Sequence, residues 1–320
     1  MQRIPLLRQS AFATKVLQKK LLAIPPPEIA EMLSSTSTTA ENNVNEPLLI
    51  LNVARWINDY ALKQMPSMTS DAVYTEKVLE DYDTFIWDFN SPFHWRIHPL
   101  DVQALYDTCL ANSTRHCEVA VGTGLFLKGL QATERNCSSS LAHVTLVDLN
   151  PNSLKLCQNR LLTEVDYYSK NNVKMELVVQ DILSLPFSSS LLIRKSYDSV
   201  AANFLLHCLH KHNSRYETLR LAVQNMASLL TPETGVFFGS TILGKELLDD
   251  EEATVGPAAL ETLRMYNNFG VFGNEEDSFE MLSKVFHEIF DEVDIWQVGY
   301  CAVWKAKRPI DCSEISKNIM

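Results

Sequence analysis

Short apolar runs bounded by glycine and polar turns recur between residues 118 and 241, and most of the stretches between them space their apolar positions at helical period. The runs at 118–121, 144–148, 174–180, 198–203 and 235–241 predict strands, and 125–132, 153–162 and 216–229 predict helices. Strands and helices that alternate in this way predict a doubly wound parallel sheet with right-handed crossovers. Further on, helices over 257–266 and 278–290 precede two strands, 292–297 and 300–305, joined at Val298 and Gly299. So short a turn makes those two strands antiparallel neighbours. The pattern predicts five parallel strands followed by an antiparallel hairpin.

Upstream, Leu49, Leu51, Val53, Trp56, Ile57 and Ala61 approximate a helix over 47–61, and a second helix is expected over 73–79. An aromatic-dense segment follows, YDTFIWDFNSPFHWRIHP at 82–99, and then a helix at 100–110. Core packing is the expected place for most of those rings. The polar stretch 34–45 reads as a flexible linker. The domains expected are a basic segment with linker (1–45), a helical cap or substrate region (46–112), the sheet domain (113–308) and a tail (309–320). Arg3, Arg8, Lys15, Lys19 and Lys20 stand unopposed until Glu28, a composition similar to a mitochondrial transit peptide. An amphipathic surface helix ended by Pro25, Pro26 and Pro27 has the same pattern.

Charge narrows the partners. A net charge of −11 and a pI near 5.2 argue against a grip on nucleic-acid backbones, which needs clustered Lys and Arg. The seven cysteines are scattered and form no C-x-x-C pair, as expected of reduced thiols in the cytoplasm, with the mitochondrion the alternative raised by the basic segment. His207, His210 and His212 have no carboxylate at ligand spacing and no cysteine except Cys208, so no metal is expected. No apolar run approaches the roughly 18 residues a membrane span requires. The sequence does not set an oligomeric state.

The densest chemical signal is HCEVAVGTGLFLKGL at 116–130, an apolar run that passes through Gly122, Thr123 and Gly124 into a helix. Glycines there allow a sharp turn and close approach of backbone to a ligand, and the helix start offers unpaired N–H groups. The next apolar run ends in Asp148, 26 residues after Gly122, where a carboxylate can accept from both hydroxyls of a ribose. A nucleotide-like cofactor follows from the pair of signals. Asn150 before Pro151 reads as a helix N-cap.

These motifs and the terminal hairpin resemble class I S-adenosylmethionine-dependent methyltransferases over residues 82–307. The first family motif resembles residues 118–124, the second Val147-Asp148-Leu149, the third Val179-Gln180-Asp181-Ile182, and the fourth the segment 203–207. Phe126 stands where the family often has a third glycine. The whole pattern of WDFNSPFHWR, NFLLHCLH and MYNNFGVFGNEEDS is similar to bacterial and fungal small-molecule methyltransferases of natural-product type. The resemblance implies a Rossmann-like seven-stranded α/β sheet with an antiparallel last strand, S-adenosyl-L-methionine as cofactor, and a small-molecule acceptor.

It also implies roles for single residues. Glu118 would serve the cofactor's amino group and the glycine loop, Gly122, Thr123 and Gly124 its methionine and ribose, and Asp148 the ribose diol. Leu149 would lie on the adenine face, Asp181 would reach the adenine amino group, and Ile182 and Asn203 would complete the site. Tyr82, Trp87 and Trp95 offer π faces to a sulfonium, and Arg96 has two readings, a fork for the methionine carboxylate and a structural ion pair. The acceptor pocket is expected from Trp95, Phe204, Tyr266, Phe269 and Phe272. His207 has two readings, a general base for a hydroxyl or amine acceptor and a histidine satisfying a buried backbone group.

Rival readings come from other classes. An NAD-type oxidoreductase wants a glycine at the sixth position of G-x-G-x-x-G, where this chain has Leu127. A non-methylating protein, whether assembly partner or cyclase, can keep the same cofactor fold. A mitochondrial quinone-type methylase would fit the basic N-terminal segment.

Overall fold

The computed structural model describes residues 74–130, 141–184, 187–210, 213–249 and 257–310. The readings for the basic segment, the linker, the helix at 47–61, the tail beyond 310 and His212 lie outside those residues. The longer helices are α1 Glu76–Tyr82, α2 Pro99–Leu110, α3 Leu125–Gly129, α4 Pro151–Glu164, α5 Arg215–Ala227, α6 Pro257–Asn268 and α7 Phe279–Ile289. The strands are β1 Arg115–Val119, β2 His143–Asp148, β3 Lys174–Val179, β4 Ser199–Asn203, β5 Val236–Ile242, β6 Phe290–Val298 and β7 Cys301–Pro309.

One seven-stranded sheet has the order β3-β2-β1-β4-β5-β7-β6, parallel except that β7 runs antiparallel to both β5 and β6. The five parallel strands and the closing hairpin are therefore as the hydrophobic pattern predicts. Chain order reverses where β1 sits between β2 and β4, so a crevice opens outside the carboxyl ends of those strands. Both faces of the sheet are covered. Val144, Leu146, Tyr106 and Phe238 belong to the core on one face, whereas Cys117, Val147, Phe237, Phe286 and Trp304 pack on the other. No described helix is long and apolar enough to cross a membrane.

Two departures from the sequence reading shape the site. Strand β1 begins at Arg115 and ends at Val119, three residues earlier than expected at its start, because His116 and Glu118 are buried polar residues that point to the same face. Ala120 then leaves the strand with φ 58°. Between α1 and α2 the aromatic segment holds a π-helix, Asp83–Asn90, which buries Phe85, Trp87, Phe89 and Asn90. A π turn is wider than the 3.6-residue period that apolar spacing is matched against, so the pattern did not reveal it.

Candidate cofactor cavity and active site

The crevice holds a cavity of about 770 Å³ that reaches from Leu149 and Ile182 past Asp148 and Gly122 to Phe204 and Cys208. A smaller one of about 380 Å³ lies over the glycine turn, between Trp87, Glu118 and Thr123. Tyr82, Ala120, Gly122 and Asn203 line both, so the two adjoin.

The turn that makes room for it departs from ordinary backbone. Ala120, Gly122 and Gly124 have φ of 58°, 50° and 71°, the left-handed region in which a side chain is strained. Ala120 is held there by its N–H donating to the Val147 carbonyl at 2.8 Å. A Cβ on Gly122 would meet no atom within 4 Å, so the space a side chain would fill is left to a ligand. Gly124 is required for a different reason, since its Cβ would lie 2.5 Å from Sγ of Cys157 on α4. Gly124→Ala is expected to cost about 1–3 kcal/mol in denaturant unfolding, from overpacking and the positive φ together. An unchanged midpoint would show that α4 yields freely.

Asp148 ends β2 and faces Gly122 across the crevice. Its Oδ1 accepts from the Asn150 N–H at 2.9 Å and its Oδ2 from the Gly122 N–H at 3.5 Å. Burial pushes its pKa up to about 6, against the pull of the backbone N–H groups of Asn150, Gly122, Val121 and Leu149. Leu149 is 49% exposed on the cavity wall, an apolar side chain waiting for a flat partner. Ile182 and Asp181 stand opposite it. The Asp181 carboxylate also shapes its own turn, accepting from the Leu183 N–H and the Ser184 hydroxyl, each at 2.9 Å. Asn150 caps α4 as the sequence indicates, accepting from the Asn152 N–H at 2.8 Å with Pro151 in the first helical turn. A carboxylate beside the open glycine turn, with apolar side chains beyond it, is a donor set that fits the diol and purine of an adenosine.

Glu118 lines the smaller cavity and is also tied into the interior. Its Oε1 accepts from the Tyr106 hydroxyl at 2.5 Å, and its Oε2 lies 2.9 Å from Nε2 of His116. Asn203 donates to the Tyr106 hydroxyl at 2.7 Å and accepts from Ser240 at 3.0 Å, and His116 continues the chain to Ser199 at 2.8 Å. Both carboxylate oxygens are thus bound inside a network that ties α2, β1, β4 and β5 beneath the glycine turn. Tyr106 is the member that sequence reasoning missed. Alternation of His116 and Glu118 along β1 was the available signal, and their partners lie far away in sequence.

The cap supplies the roof. Trp87 stacks on Phe204 at 4.4 Å and meets Phe126, the residue in the third-glycine position, edge-on at 4.6 Å. Phe204 has φ 50°, uncommon for a bulky residue, and is fixed by its N–H donating to the Ser240 carbonyl at 2.8 Å. The Thr123 hydroxyl donates to Asp83 of the π-helix at 2.5 Å, which ties this residue of the smaller cavity's wall to the cap.

Three expectations need correction. His207 lies in a 3-10 turn, Leu206–Cys208, and is 2% exposed. Its Nδ1 accepts from the Ile242 N–H at 3.3 Å and is 3.1 Å from the Thr241 hydroxyl, which places the ring proton on Nε2. Burial lowers its pKa to about 3, which makes the neutral imidazole a weak proton acceptor, and its Nδ1 is already engaged by the Ile242 N–H. Arg96 has φ 54° and packs against Gly299 of the β6–β7 hairpin, off the walls of both cavities. Of the five residues expected around the acceptor, Phe204 lines the cavity. Trp95, Tyr266 and Phe272 are buried behind it, with Phe272 4.5 Å from His207 and 4.8 Å from Tyr266, and Phe269 packs against the same core. Cys208 and Tyr74, not singled out in the sequence, are on the wall instead.

A methyltransferase domain family matches residues 117–237. The chain is 30% identical over 238 residues to a demethylluteothin O-methyltransferase of Streptomyces thioluteus, a match that covers 73% of this chain and 89% of that protein. It is 27% identical over 244 residues to the O-methyltransferase NEC2 of Pyricularia oryzae, covering 71% and 88%. The fold is similar to that of an O-methyltransferase family protein from Burkholderia thailandensis, with TM-score 0.52 at 13% identity over 85% of this chain and 74% of that one. Through these relatives and the domain they share, the chain belongs to the S-adenosylmethionine-dependent methyltransferases, and S-adenosyl-L-methionine is its methyl donor.

Proposed function

We propose that the acceptor is a hydroxyl or amine of a small organic molecule, and that the reaction belongs to the making of a secondary metabolite. The observation that carries this is the composition of the cavity's far end. Tyr74, Tyr82, Phe204, Leu205, Cys208 and Leu209 form a wall of apolar and aromatic surface with neutral polar tips, which suits a flat, partly polar molecule. The Streptomyces relative, named for O-methylation of demethylluteothin, supports the same reading.

S-adenosylmethionine would supply a methyl carbon bonded to a sulfonium, open to in-line attack by the acceptor's lone pair as the C–S bond breaks, with S-adenosylhomocysteine leaving as a neutral thioether and the acceptor's proton passing to water. The chain's part is to align the two reactants and keep water out. Asp148, Gly122 and the Leu149–Ile182 slot hold the nucleoside, while Trp87 and Phe204 close the roof. Burial raises the phenols of Tyr74 and Tyr82 above their ordinary range, so both stay protonated and act as hydrogen-bond donors. The described cavity walls carry no imidazole, so the acceptor brings its own lone pair, as an acidic hydroxyl that ionises in water or as an uncharged amine.

The test is formation of S-adenosylhomocysteine with a panel of phenols, enols, alcohols and amines, followed by mass spectrometry of the methylated product. Turnover is expected with an oxygen or nitrogen acceptor, and methylation of carbon or of a macromolecule alone would overturn the proposal. The pH profile of kcat should move with the acceptor's own pKa. His207→Asn, which keeps an acceptor atom near the Ile242 N–H, should lack the roughly 10²- to 10⁴-fold loss that removing a general base brings. A loss of that size with the fold intact would restore His207 as the base.

A further inference from the structure

Three elements meet at Asp83, the first residue of the π-helix. Its Oδ1 accepts from the Thr123 hydroxyl at 2.5 Å and its Oδ2 from Nη2 of Arg160, on α4, at 2.8 Å. The same guanidinium donates from Nη1 to the Thr123 carbonyl at 3.0 Å. The glycine turn is thereby gripped by both side chain and backbone, through two residues that also grip each other. The pair is 16% and 26% exposed, which leaves it less screened than a surface ion pair.

Position makes this grip functional. Tyr82, the residue before Asp83, lines both cavities. Trp87, about one π turn further on, lines the smaller cavity and stacks on Phe204. Toward the ends of the cap, Asn150 donates to the Tyr74 carbonyl at 3.0 Å and Asn90 to the Tyr266 hydroxyl at 3.4 Å. Asp83 lies between them and reaches the loop that the cofactor must cross.

We propose that Asp83 and Arg160 are positioning residues that latch the π-helix onto the Gly122–Gly124 turn and so set where Tyr82 and Trp87 stand over the methionine end of the cofactor. This rests on the cofactor lying in the cavity described above and adds how the cap is held closed on it. Neither residue touches the ligand. Both act through the turn and the two aromatics.

The test is the affinity and dissociation rate of S-adenosylhomocysteine for the full chain, by calorimetry and stopped flow, in Asp83→Asn, Arg160→Met and the double variant. Each single change is expected to weaken binding about tenfold, mostly through faster dissociation, and the double to be no worse than either single. Arg160→Lys should recover only part of the loss, because a lysine keeps the charge and not the fork. A purely structural role would lower the melting temperature of the free protein and leave the dissociation rate alone. Should Asp83→Asn fail to fold, Thr123→Val, which removes one hydroxyl, must speed dissociation in the same direction. Unchanged affinity and rate in folded variants, or losses that add in the double, would overturn the latch while wild-type binding upholds the cofactor cavity. Absence of binding by the wild type would strike the cavity assignment itself.

Discussion

Asp148→Ala is expected to weaken S-adenosylhomocysteine binding by about 1–3 kcal/mol, because a ribose diol loses charge-assisted hydrogen bonds in a partly desolvated site. Calorimetric titration reads this directly as a rise of roughly 5- to 150-fold in Kd. The same carboxylate should make binding pH-dependent. Its pKa is about 6, so it is ionised above that pH and protonated below. Affinity is therefore expected to fall as pH drops through about 6 in the wild type, and to lose that step in Asp148→Asn. Stability runs the other way. A carboxyl whose folded pKa lies above its ordinary value of 3.8 binds protons more readily in the folded state, so it withdraws stability as pH rises from about 4 to 6. Asp148→Asn should thus leave the ligand-free protein at least as stable at neutral pH while it binds the cofactor less well. A variant that loses both stability and affinity would make Asp148 a structural residue.

The largest stability effect is expected at Arg215. This side chain, on α5, is 2% exposed and forms a forked pair with Asp277, also 2% exposed, with one of those bonds at 2.5 Å. It also donates to the Leu209 carbonyl and, at 2.7 Å, to the Leu206 carbonyl. One guanidinium thereby pins the segment after β4, which forms the cavity's far wall, to the loop before α7. Arg215→Met leaves a buried carboxylate without its partner, takes the guanidinium from the Leu209 carbonyl and leaves the Leu206 carbonyl with the Leu209 N–H at 3.2 Å, at a cost of about 3–5 kcal/mol in chemical denaturation. Replacing both members, as Arg215→Met with Asp277→Leu, should cost less than Arg215→Met alone. Burial already outweighs Arg215 and raises Asp277 to about 6. Without the arginine that pKa climbs further, and stability is lost as pH rises from about 4 toward the higher folded value. The single variant should accordingly be less impaired at pH 5 than at pH 8. Equal loss at both would mean that the Asp277 pKa does not climb when the arginine is removed.

The sheet was legible because most of its strands carry a short apolar run with a turn signal at the end, and the hairpin at Gly299 betrayed the antiparallel pair. That Gly122 and Asp148 line one cavity was legible for a related reason. Gly122, Gly124 and Asp148 sit at strand ends, where the backbone itself puts them beside one another. Contacts made across the fold were not. Tyr106 is 97 residues from Asn203, and Arg215 is 62 from Asp277, so no spacing rule links them. His207 looked like a base because its place after β4 is right for one. What disqualifies it is the Ile242 N–H on the neighbouring strand, visible only once β4 and β5 are paired. Arg96 illustrates the converse, since a cation close in sequence to the aromatic segment turned out to sit on the hairpin.

The most direct single measurement is a crystal structure of the full chain with S-adenosylhomocysteine. It should show the ribose hydroxyls on the Asp148 carboxylate, the adenine between Leu149 and Ile182, and the methionine end over Gly122 beneath Tyr82 and Trp87. A nucleoside bound elsewhere, or Asp148 turned away from the ribose, would contradict the assignment of this cavity.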